Sequence, residues 1–329
     1  MVNKKTNYTS LEPFLKELVT KYNLRLGGRS WWPQFIYHST EINDAISILN
    51  TGYVYSRNLA IKMNLLKFDI ASQDVIDLTP DLVKDFARFY FRPQTPTQWN
   101  NEGIRLKSQL SLRAQCPVPV YLLFDAIEVL SLEQTQFSKG NLATWPQETF
   151  NDISELKKFP FDLIYHVGGF PPSDRDKITY HRNAEIIVPD KLSVKFLRLI
   201  YCRSEAEKDT LLNLINDDIA RKWHDFIIVD IKGQFFHKRW TFIDKTQLAN
   251  SYIILSFSPE SQTPGPFNVR FKLYDIENDI IHKLIFNEVL CNRSYKFPFK
   301  KNFEEYNIQI YLDDMLSFKG YHKDYDLPF

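Results

Sequence analysis

The 329-residue chain is 44% hydrophobic and 25% charged, which is the composition of a soluble globular protein, and its length suits two domains better than one. The formal net charge is only +1, so the overall charge does not indicate a class of partner. Residues 1–115 carry 15 Lys and Arg against 10 Asp and Glu, and this basic excess is compatible with a nucleic-acid substrate. Three distant cysteines exclude a disulfide framework, and with neither a secretory leader nor a membrane-spanning apolar run we expect a reduced, cytoplasmic protein without a membrane partner.

Three segments show the apolar spacing of amphipathic helices, at residues 10–22, 41–50 and 204–223. Ser10 and Thr40 are the expected caps of the first two helices, and Gly52 lies just past the end of the second. Ser204 and Glu207 have the spacing of a capping box at the start of the third helix.

Apolar runs predict strands at residues 35–38, 86–91, 118–124, 184–188 and 194–202. Two polar stretches, 56–80 and 138–160, are predicted to be long loops, and such loops in compact domains tend to be functional. Later in the chain short strands recur regularly, at residues 226–230, 240–243, 252–257, 269–274, 280–286 and 308–312. Because this spacing is typical of a sandwich or barrel, we expect a first domain at 1–223 and a β-rich second domain at 224–329.

The common nucleotide and hydrolase signatures are absent from the sequence: G-x-G-x-x-G opening a helix, Walker A, H-E-x-x-H and G-x-S-x-G. A nucleotide must then be held in another way. His38, Ser39 and Thr40 join a strand to a helix, where imidazole and hydroxyl groups can bond a ribose and the helix N-terminus favours a pyrophosphate. A helix cap beside a hydrogen-bonded histidine is the simpler interpretation of these residues alone.

The turn that follows the second helix presents Ser56, Arg57 and Asn58 together, and Arg57 can pair with a phosphate. A solvated arginine on an ordinary turn explains the same segment. Further on, the aromatic strand ending at Tyr90 runs into a proline-stiffened loop that carries Arg92 and Gln94, and such a loop holds polar groups with little entropy to lose. A strand followed by a proline-rich turn is the alternative.

Glu185 begins a strongly apolar strand after Arg182 and Asn183. A carboxylate beside a buried strand often has a specific partner or chemical role, but an ion pair or an edge charge is the more common explanation when only these residues are considered.

The order and spacing of these four segments resemble the DarT family of NAD-dependent DNA ADP-ribosyltransferases. The likeness is carried by His-x-Thr, a helix ending in Gly, Ser-Arg-Asn-Leu, Phe-Tyr-Phe-x-Pro and Asn-Ala-Glu-Ile-Ile-Val-Pro. The run from Tyr90 to Gln98, continued by Asn101-Glu102-Gly103, looks close to one branch of that family. The resemblance covers roughly residues 30–203 and leaves out the β-rich region.

The resemblance implies an α+β fold, with an ADP-ribosyltransferase-like split mixed β-sheet, and it implies NAD as co-substrate with no metal. The residues expected to contact NAD are His38, Ser39, Thr40, Gly52, Ser56, Arg57, Asn58, Tyr90 and Gln94. Glu185 is the expected catalytic glutamate, because a carboxylate on the ribose 2′-hydroxyl stabilises the cation that forms when nicotinamide leaves. Arg92 is expected to position the acceptor base, and residues 136–184 to face the substrate.

The resemblance further implies a toxin that modifies a base of single-stranded DNA and is neutralised by a DarG-like macrodomain antitoxin. We class the expected activity as glycosyltransferase and nucleotidyltransferase. Many family members carry Arg two positions after the site of Arg92, where this chain has Gln94. That departure favours a rival hypothesis, a nucleic-acid-binding module on the same fold without transfer, and a third hypothesis keeps the chemistry with RNA or protein as acceptor.

Overall fold

A computed structural model describes residues 3–70, 73–109, 115–144 and 146–324. The chain forms two compact units, the first from residues 1–100 and 121–200 and the second from 101–120 and 201–329. This division differs from the domain boundary expected near 224, because residues just after 200 pack within the second unit. Ser204 Oγ donates a hydrogen bond to the Ile243 carbonyl at 2.8 Å, and Thr210 Oγ1 accepts one from the Lys319 backbone N–H at 3.1 Å.

The helices α1 to α12 span, in order, Leu11–Leu26, Ile42–Thr51, Arg57–Lys62, Gln73–Leu78, Asp81–Lys84, Pro96–Asn101, Ala126–Leu130, Ile153–Leu156, Phe161–Ile164, Arg175–Arg182, Glu205–Leu212 and Asp217–Trp223. The helix predicted at 204–223 is therefore two helices. They are separate because the Asn216 side chain accepts a hydrogen bond from the Ile219 backbone N–H and caps a new helix there.

Two of the predicted helix caps are wrong. Ser10 makes no side-chain bond to the first turn of α1, and its hydroxyl donates instead to the Asn7 carbonyl. Glu41, not Thr40, caps α2, because the preceding strand continues through Thr40 and the Glu41 carboxylate then accepts from the Asn43 backbone N–H at 2.8 Å. Gly52 does end α2, in the left-handed conformation with φ of 78°.

The strands β1 to β16 span, in order, Phe35–Glu41, Tyr53–Tyr55, Phe86–Tyr90, Pro119–Asp125, Gln136–Phe137, Glu185–Pro189, Lys191–Ser193, Leu197–Cys202, Ile227–Val229, Ile243–Leu248, Tyr252–Phe257, Phe267–Tyr274, Ile280–Val289, Ser294–Pro298, Glu305–Leu312 and Met315–Lys323. The predicted strand at 240–243 is displaced to β10. Strands β2, β5, β7, β14 and β16 were not predicted from the sequence.

The largest sheet has seven strands in the order β5-β6-β3-β1-β4-β8-β9. Strand β3 lies between β1 and β6 and is antiparallel to both, in a register that pairs Tyr90 with Tyr37 on one side and with Glu185 on the other. Side chains far apart in sequence are thereby brought to one region of the sheet. The continuous burial of β4 suits a strand covered on both faces.

The second unit contains two antiparallel sheets, β10-β11-β14 and β13-β12-β15-β16. The inner strands β11, β12 and β15 alternate buried and more exposed residues, and one hydrophobic core takes Ile253 and Leu255 from the first sheet with Phe271 and Ile308 from the second. The predicted α+β class, with a β-rich C-terminal part, is confirmed. No helix in the described part of the chain has the length and apolarity needed to cross a membrane.

Candidate active site

A cleft of about 250 Å³ opens in the first unit against β1, α2, β2, α3 and β3. Its polar lining includes several of the residues that the sequence analysis singled out, namely His38, Ser39, Thr40, Arg57 and Tyr90. The side chains of Arg88, Asp44 and Asp69 also line it. One wall comes from residues 65–70, part of the predicted loop at 56–80, so that loop contributes to the cleft as expected.

His38 is placed to accept a hydrogen bond from a ligand in the cleft. Its Nδ1 lies 3.0 Å from the Arg88 carbonyl oxygen, and because a carbonyl only accepts, Nδ1 carries the proton. Burial lowers the His38 pKa below its ordinary value, which favours the neutral ring. The Nε2 atom of this neutral tautomer is an acceptor, suited to a sugar hydroxyl.

Glu185 is fully buried beside the cleft and is held by Arg88 through a two-pronged ion pair. Arg88 Nε donates to Glu185 Oε2 at 2.6 Å and Arg88 Nη2 to Oε1 at 2.8 Å, and the Leu142 backbone N–H donates to Oε1 at 2.9 Å. Burial lowers the Arg88 pKa, but the charge and hydrogen bonds of Glu185 outweigh burial and raise the pKa above its ordinary value. The pair is therefore ionic, and Arg88 is its cleft-facing member.

Tyr90 stands next to this pair, since it is the register partner of Glu185. Burial, followed by the negative charge of Glu185, raises the pKa of Tyr90 to about 12. Its phenol is therefore protonated at neutral pH and can donate a hydrogen bond into the cleft.

Arg88 was not predicted as a site residue from the sequence. The available signal was a charged residue at the centre of the otherwise apolar and aromatic strand β3, since charged side chains are rarely buried without a partner.

Arg57 lines the cleft, but its guanidinium is already paired. Nη1 donates to Asp69 Oδ1 at 3.1 Å and Nη2 donates to Oδ2, so the two side chains close one side of the cleft together. The Asp44 carboxylate accepts from the Lys67 backbone N–H at 2.6 Å and the Phe68 N–H at 3.3 Å, which ties the loop before Asp69 to α2.

Four residues expected to contact NAD, Gly52, Ser56, Asn58 and Gln94, lie outside the lining of the cleft, and the first three have structural contacts instead. Gly52 ends α2. Ser56 is buried and its hydroxyl accepts from the Leu59 backbone N–H to cap α3. Asn58 donates from Nδ2 to Asp85 Oδ1 at 2.8 Å.

Arg92 and Gln94 also lie outside the lining of the cleft. Arg92 is buried; its Nε donates to the Pro93 carbonyl at 2.9 Å and its Nη1 to the carbonyls of Ile164 and His166. Strand β3 ends at Tyr90 and Gln94 has a left-handed φ of 55°, so strand alternation does not set the directions of the Arg92 and Gln94 side chains. No cluster of three or more His, Cys, Asp or Glu side chains suited to a metal occurs among the described residues.

Comparison with known proteins supplies a family. The family model described as ssDNA thymidine ADP-ribosyltransferase, DarT, matches residues 37–237, more than half of the chain. Among solved structures, the fold is similar to Thermus sp. 2.9 DarT in complex with ADP-ribosylated ssDNA, with a TM-score of 0.48 and 17% identity over 62% of this chain and 97% of that one. The same Thermus protein in complex with NAD+ gives a TM-score of 0.47 at 17% identity, over 62% and 98% of the two chains.

A third solved structure, Thermosipho africanus DarTG in complex with ADP-ribose, gives a TM-score of 0.44 at 13% identity and covers 65% of this chain and 53% of that one. A search of curated proteins finds no match to this chain.

Proposed function

Since the chain belongs to the DarT family of single-stranded-DNA thymidine ADP-ribosyltransferases, we propose that its cleft binds NAD and that Glu185 serves the transfer of ADP-ribose to a thymidine. The observation that carries this assignment is the Arg88–Glu185 ion pair beside His38 and Tyr90. Transfer of ADP-ribose forms a bond at the anomeric carbon of a ribose, so the enzyme is a glycosyltransferase. The nucleotidyltransferase class, in which a phosphorus atom is attacked, is not supported.

The chemistry of the lining fits a dinucleotide. The His38 Nε2 acceptor and the hydroxyls of Ser39 and Thr40 suit ribose hydroxyls, and the Tyr90 phenol offers a donor. Arg57 is a cleft cation whose fork suits a phosphate, which would replace the Asp69 carboxylate on its two Nη atoms. We therefore assign NAD to this cleft, with Arg57 on its pyrophosphate and His38 on a ribose.

NAD supplies ADP-ribose through cleavage of the bond between ribose and nicotinamide, which develops positive charge on the sugar. A buried carboxylate stabilises such charge strongly because few water molecules screen it. Glu185 has this character, and its Oε2 accepts one bond from Arg88 and keeps a lone pair for a ribose hydroxyl. Arg88 is a positioning residue in this scheme, since its fork fixes the orientation of the Glu185 carboxylate.

The acceptor nitrogen of the base forms the new bond to the anomeric carbon and releases its proton, while the nicotinamide nitrogen keeps the electrons of the broken bond. Arg92 is unsuited to positioning the acceptor base over the NAD ribose, because its guanidinium is bound to backbone carbonyls outside the cleft. We assign Arg92 to anchoring the chain at 164–166.

Incubation of the protein with labelled NAD and single-stranded oligonucleotides tests the proposal. Oligonucleotides that contain thymidine are expected to gain ADP-ribose, and matched oligonucleotides lacking thymidine are the control. RNA and a cell lysate serve as further acceptors. Binding of DNA without transfer would favour the binding-module hypothesis, and labelling of RNA or protein alone would favour a different acceptor.

Family membership also supports a biological role. We infer that the chain is the toxin of a toxin–antitoxin pair, acting in the cytoplasm and reversed by a DarG-like macrodomain that removes ADP-ribose from DNA. Co-expression tests this role: the chain alone is expected to block growth, and a macrodomain hydrolase is expected to restore it. A Glu185→Gln chain that blocks growth equally would contradict it.

A further inference from the structure

Three arginines of the first unit gather around Trp32 and His166, and we call Arg29, Arg92 and Arg182 the arginine cluster. The guanidinium carbons of Arg29 and Arg92 lie 5.7 and 5.0 Å from the centre of the Trp32 ring. Arg92 Nη1 donates to the His166 carbonyl, and Arg182 Nη2 lies 2.6 Å from His166 Nδ1, which accepts because a guanidinium only donates. The cluster is thus tied together through two aromatic residues.

The positive charge of the cluster is not balanced. Among the described residues no acidic side chain forms an ion pair with any of the three arginines. Burial, followed by the charges of Arg182 and Arg29, lowers the pKa of Arg92 to about 9. The His166 pKa is also lowered, by burial and then by the charges of Arg182 and Arg92. Burial is the larger cause of both shifts, and the charges of the neighbouring arginines act in the same direction.

Hydrogen-bond donors in the cluster are also unfilled. The buried Nε atoms of Arg29 and Arg182 and the indole Nε1 of Trp32 have no hydrogen-bond partner among the described residues. Buried donors without partners are rare in native proteins, and each calls for an explanation. A ligand with negative charge and several acceptor oxygens would satisfy the charge and donors together, and a phosphate group has both properties.

The cluster lies close to Glu185 along the sheet but apart from the NAD cleft. Arg182 ends α10 three residues before Glu185, and Arg92 follows Tyr90, the register partner of Glu185, by two residues. None of the three arginines lines the cleft. A phosphate bound here would therefore neighbour the reacting ribose without being part of the nucleotide in the cleft.

We propose that the arginine cluster binds a phosphodiester of the acceptor strand, next to the thymidine that reacts. This inference rests on the proposed function, because it names the contact that holds the substrate of that reaction. The same chemistry would recognise the pyrophosphate of NAD, so the experiment must separate the two sources of phosphate.

Arg29→Ala and Arg182→Ala are the informative variants, because these side chains are half-buried and contribute less to the stability of the fold than the buried Arg92. Binding of a fluorescent single-stranded oligonucleotide is measured without NAD over a range of salt concentrations. Each variant is expected to weaken binding about 3- to 10-fold, and to reduce the salt slope by about 0.7, the value for one phosphate contact on single strands. NAD affinity is expected to stay within about 2-fold of that of the wild type, since the cluster lies outside the cleft.

Arg198→Ala is the matched control, because Arg198 is an arginine of the same unit that is paired with Asp125 at 3.4 Å. Oligonucleotides with a neutral methylphosphonate at one linkage at a time locate the contact. The wild type is expected to lose affinity at one linkage, and Arg182→Ala to be insensitive there. Variants that bind DNA like Arg198→Ala would overturn the proposal, and loss of NAD affinity instead would assign the cluster to the pyrophosphate of NAD.

The result also separates this inference from the proposed function. If the wild type transfers ADP-ribose but both cluster variants bind DNA like the control, the proposed function is supported and the phosphate site at the arginine cluster is refuted. If the wild type transfers no ADP-ribose but its DNA binding still depends on the arginine cluster, the proposed function is refuted and the phosphate site is supported.

Discussion

Replacing Glu185 with glutamine removes one negative charge from a fully buried position while keeping the size of the side chain. The carboxylate accepts three hydrogen bonds, two from Arg88 at 2.6 and 2.8 Å and one from the Leu142 backbone N–H. The NH2 group of glutamine faces a donor in either orientation, Arg88 Nε in one and Arg88 Nη2 with the Leu142 N–H in the other. We expect the free energy of unfolding to fall by about 1–3 kcal/mol, less than for a fully enclosed pair, because Arg88 is 29% exposed and can regain water.

The effect on transfer is expected to be larger than the effect on stability. A unit charge about 4 Å from the developing positive charge is worth up to about 4 kcal/mol at an effective dielectric constant of 20. Loss of an electrostatic contact to a transition state typically lowers the rate by about 10²-fold or more, or about 2.7 kcal/mol. We therefore predict that kcat for transfer to a thymidine oligonucleotide falls at least about 10²-fold in Glu185→Gln, with NAD binding retained.

A double-mutant cycle with Arg88→Met shows whether Arg88 acts through Glu185. If Arg88 only orients the carboxylate, the double variant is expected to be no slower than Glu185→Gln alone, and Arg88→Lys is expected to restore part of the rate. Single-turnover rates and NAD affinity are measured for each protein, with circular dichroism to confirm folding. A folded Glu185→Gln protein with near-normal turnover would refute the assignment of Glu185.

Three further predictions concern the acceptor, the loop after β3 and the pH dependence of stability. Transfer to single-stranded DNA is expected to exceed transfer to the matching duplex, because extrusion of a paired base costs a few kcal/mol; equal initial rates on the two forms would contradict this. Arg92→Ala is expected to lower transfer and destabilise the fold by about 2–4 kcal/mol, since three carbonyl partners lose their donor, while Gln94→Ala has the smaller effect in the same transfer and thermal unfolding assays. Burial raises the pKa of Glu41 to about 7, so the folded state binds a proton that the unfolded chain releases near pH 4.5, and the free energy of unfolding falls as pH rises from about 4.5 to about 7. Glu41→Gln is expected to flatten that fall, by at most about 3 kcal/mol, in denaturant titrations at several pH values; an unchanged slope would rule out Glu41 as its source.

The predictable part of the fold is the part encoded by local pattern. Apolar runs predicted the positions of β1, β3, β4, β6 and β8 to within a few residues, because a buried strand is a continuous run of apolar residues in the sequence. The split between α11 and α12 was missed because the apolar stripe of Leu211, Leu214, Ile215 and Ile219 continues across the cap at Asn216. Apolar periodicity shows which residues are buried. A cap can end one helix and begin another without changing that periodicity.

Individual cleft residues such as His38, Arg57 and Tyr90 were predictable within their own segments, but the pairing of side chains between segments was not. His38, Ser39 and Thr40 are adjacent in sequence and lie together in the cleft. The Arg88–Glu185 pair joins residues 97 positions apart, and its formation depends on the register of β3 against β6, which no local pattern specifies. The proline-rich loop gave no indication that Arg92 turns toward the carbonyls at 164 and 166.

The distribution of paired charge explains how one small unit can handle two phosphate-bearing molecules. Each arginine that lines the cleft has an acidic partner in the described part of the chain, Arg57 with Asp69 and Arg88 with Glu185, and the neutral His38 adds no charge. The cleft therefore has little net field to attract a polyanion. Uncompensated positive charge of the described residues lies outside it, in the arginine cluster, so from the two proposals we expect DNA to approach on that side and NAD to occupy the cleft. If Arg88 lost its partner, as in Glu185→Gln, the cleft would gain a free cation, and we expect DNA to compete with NAD more strongly in that variant than in the wild type.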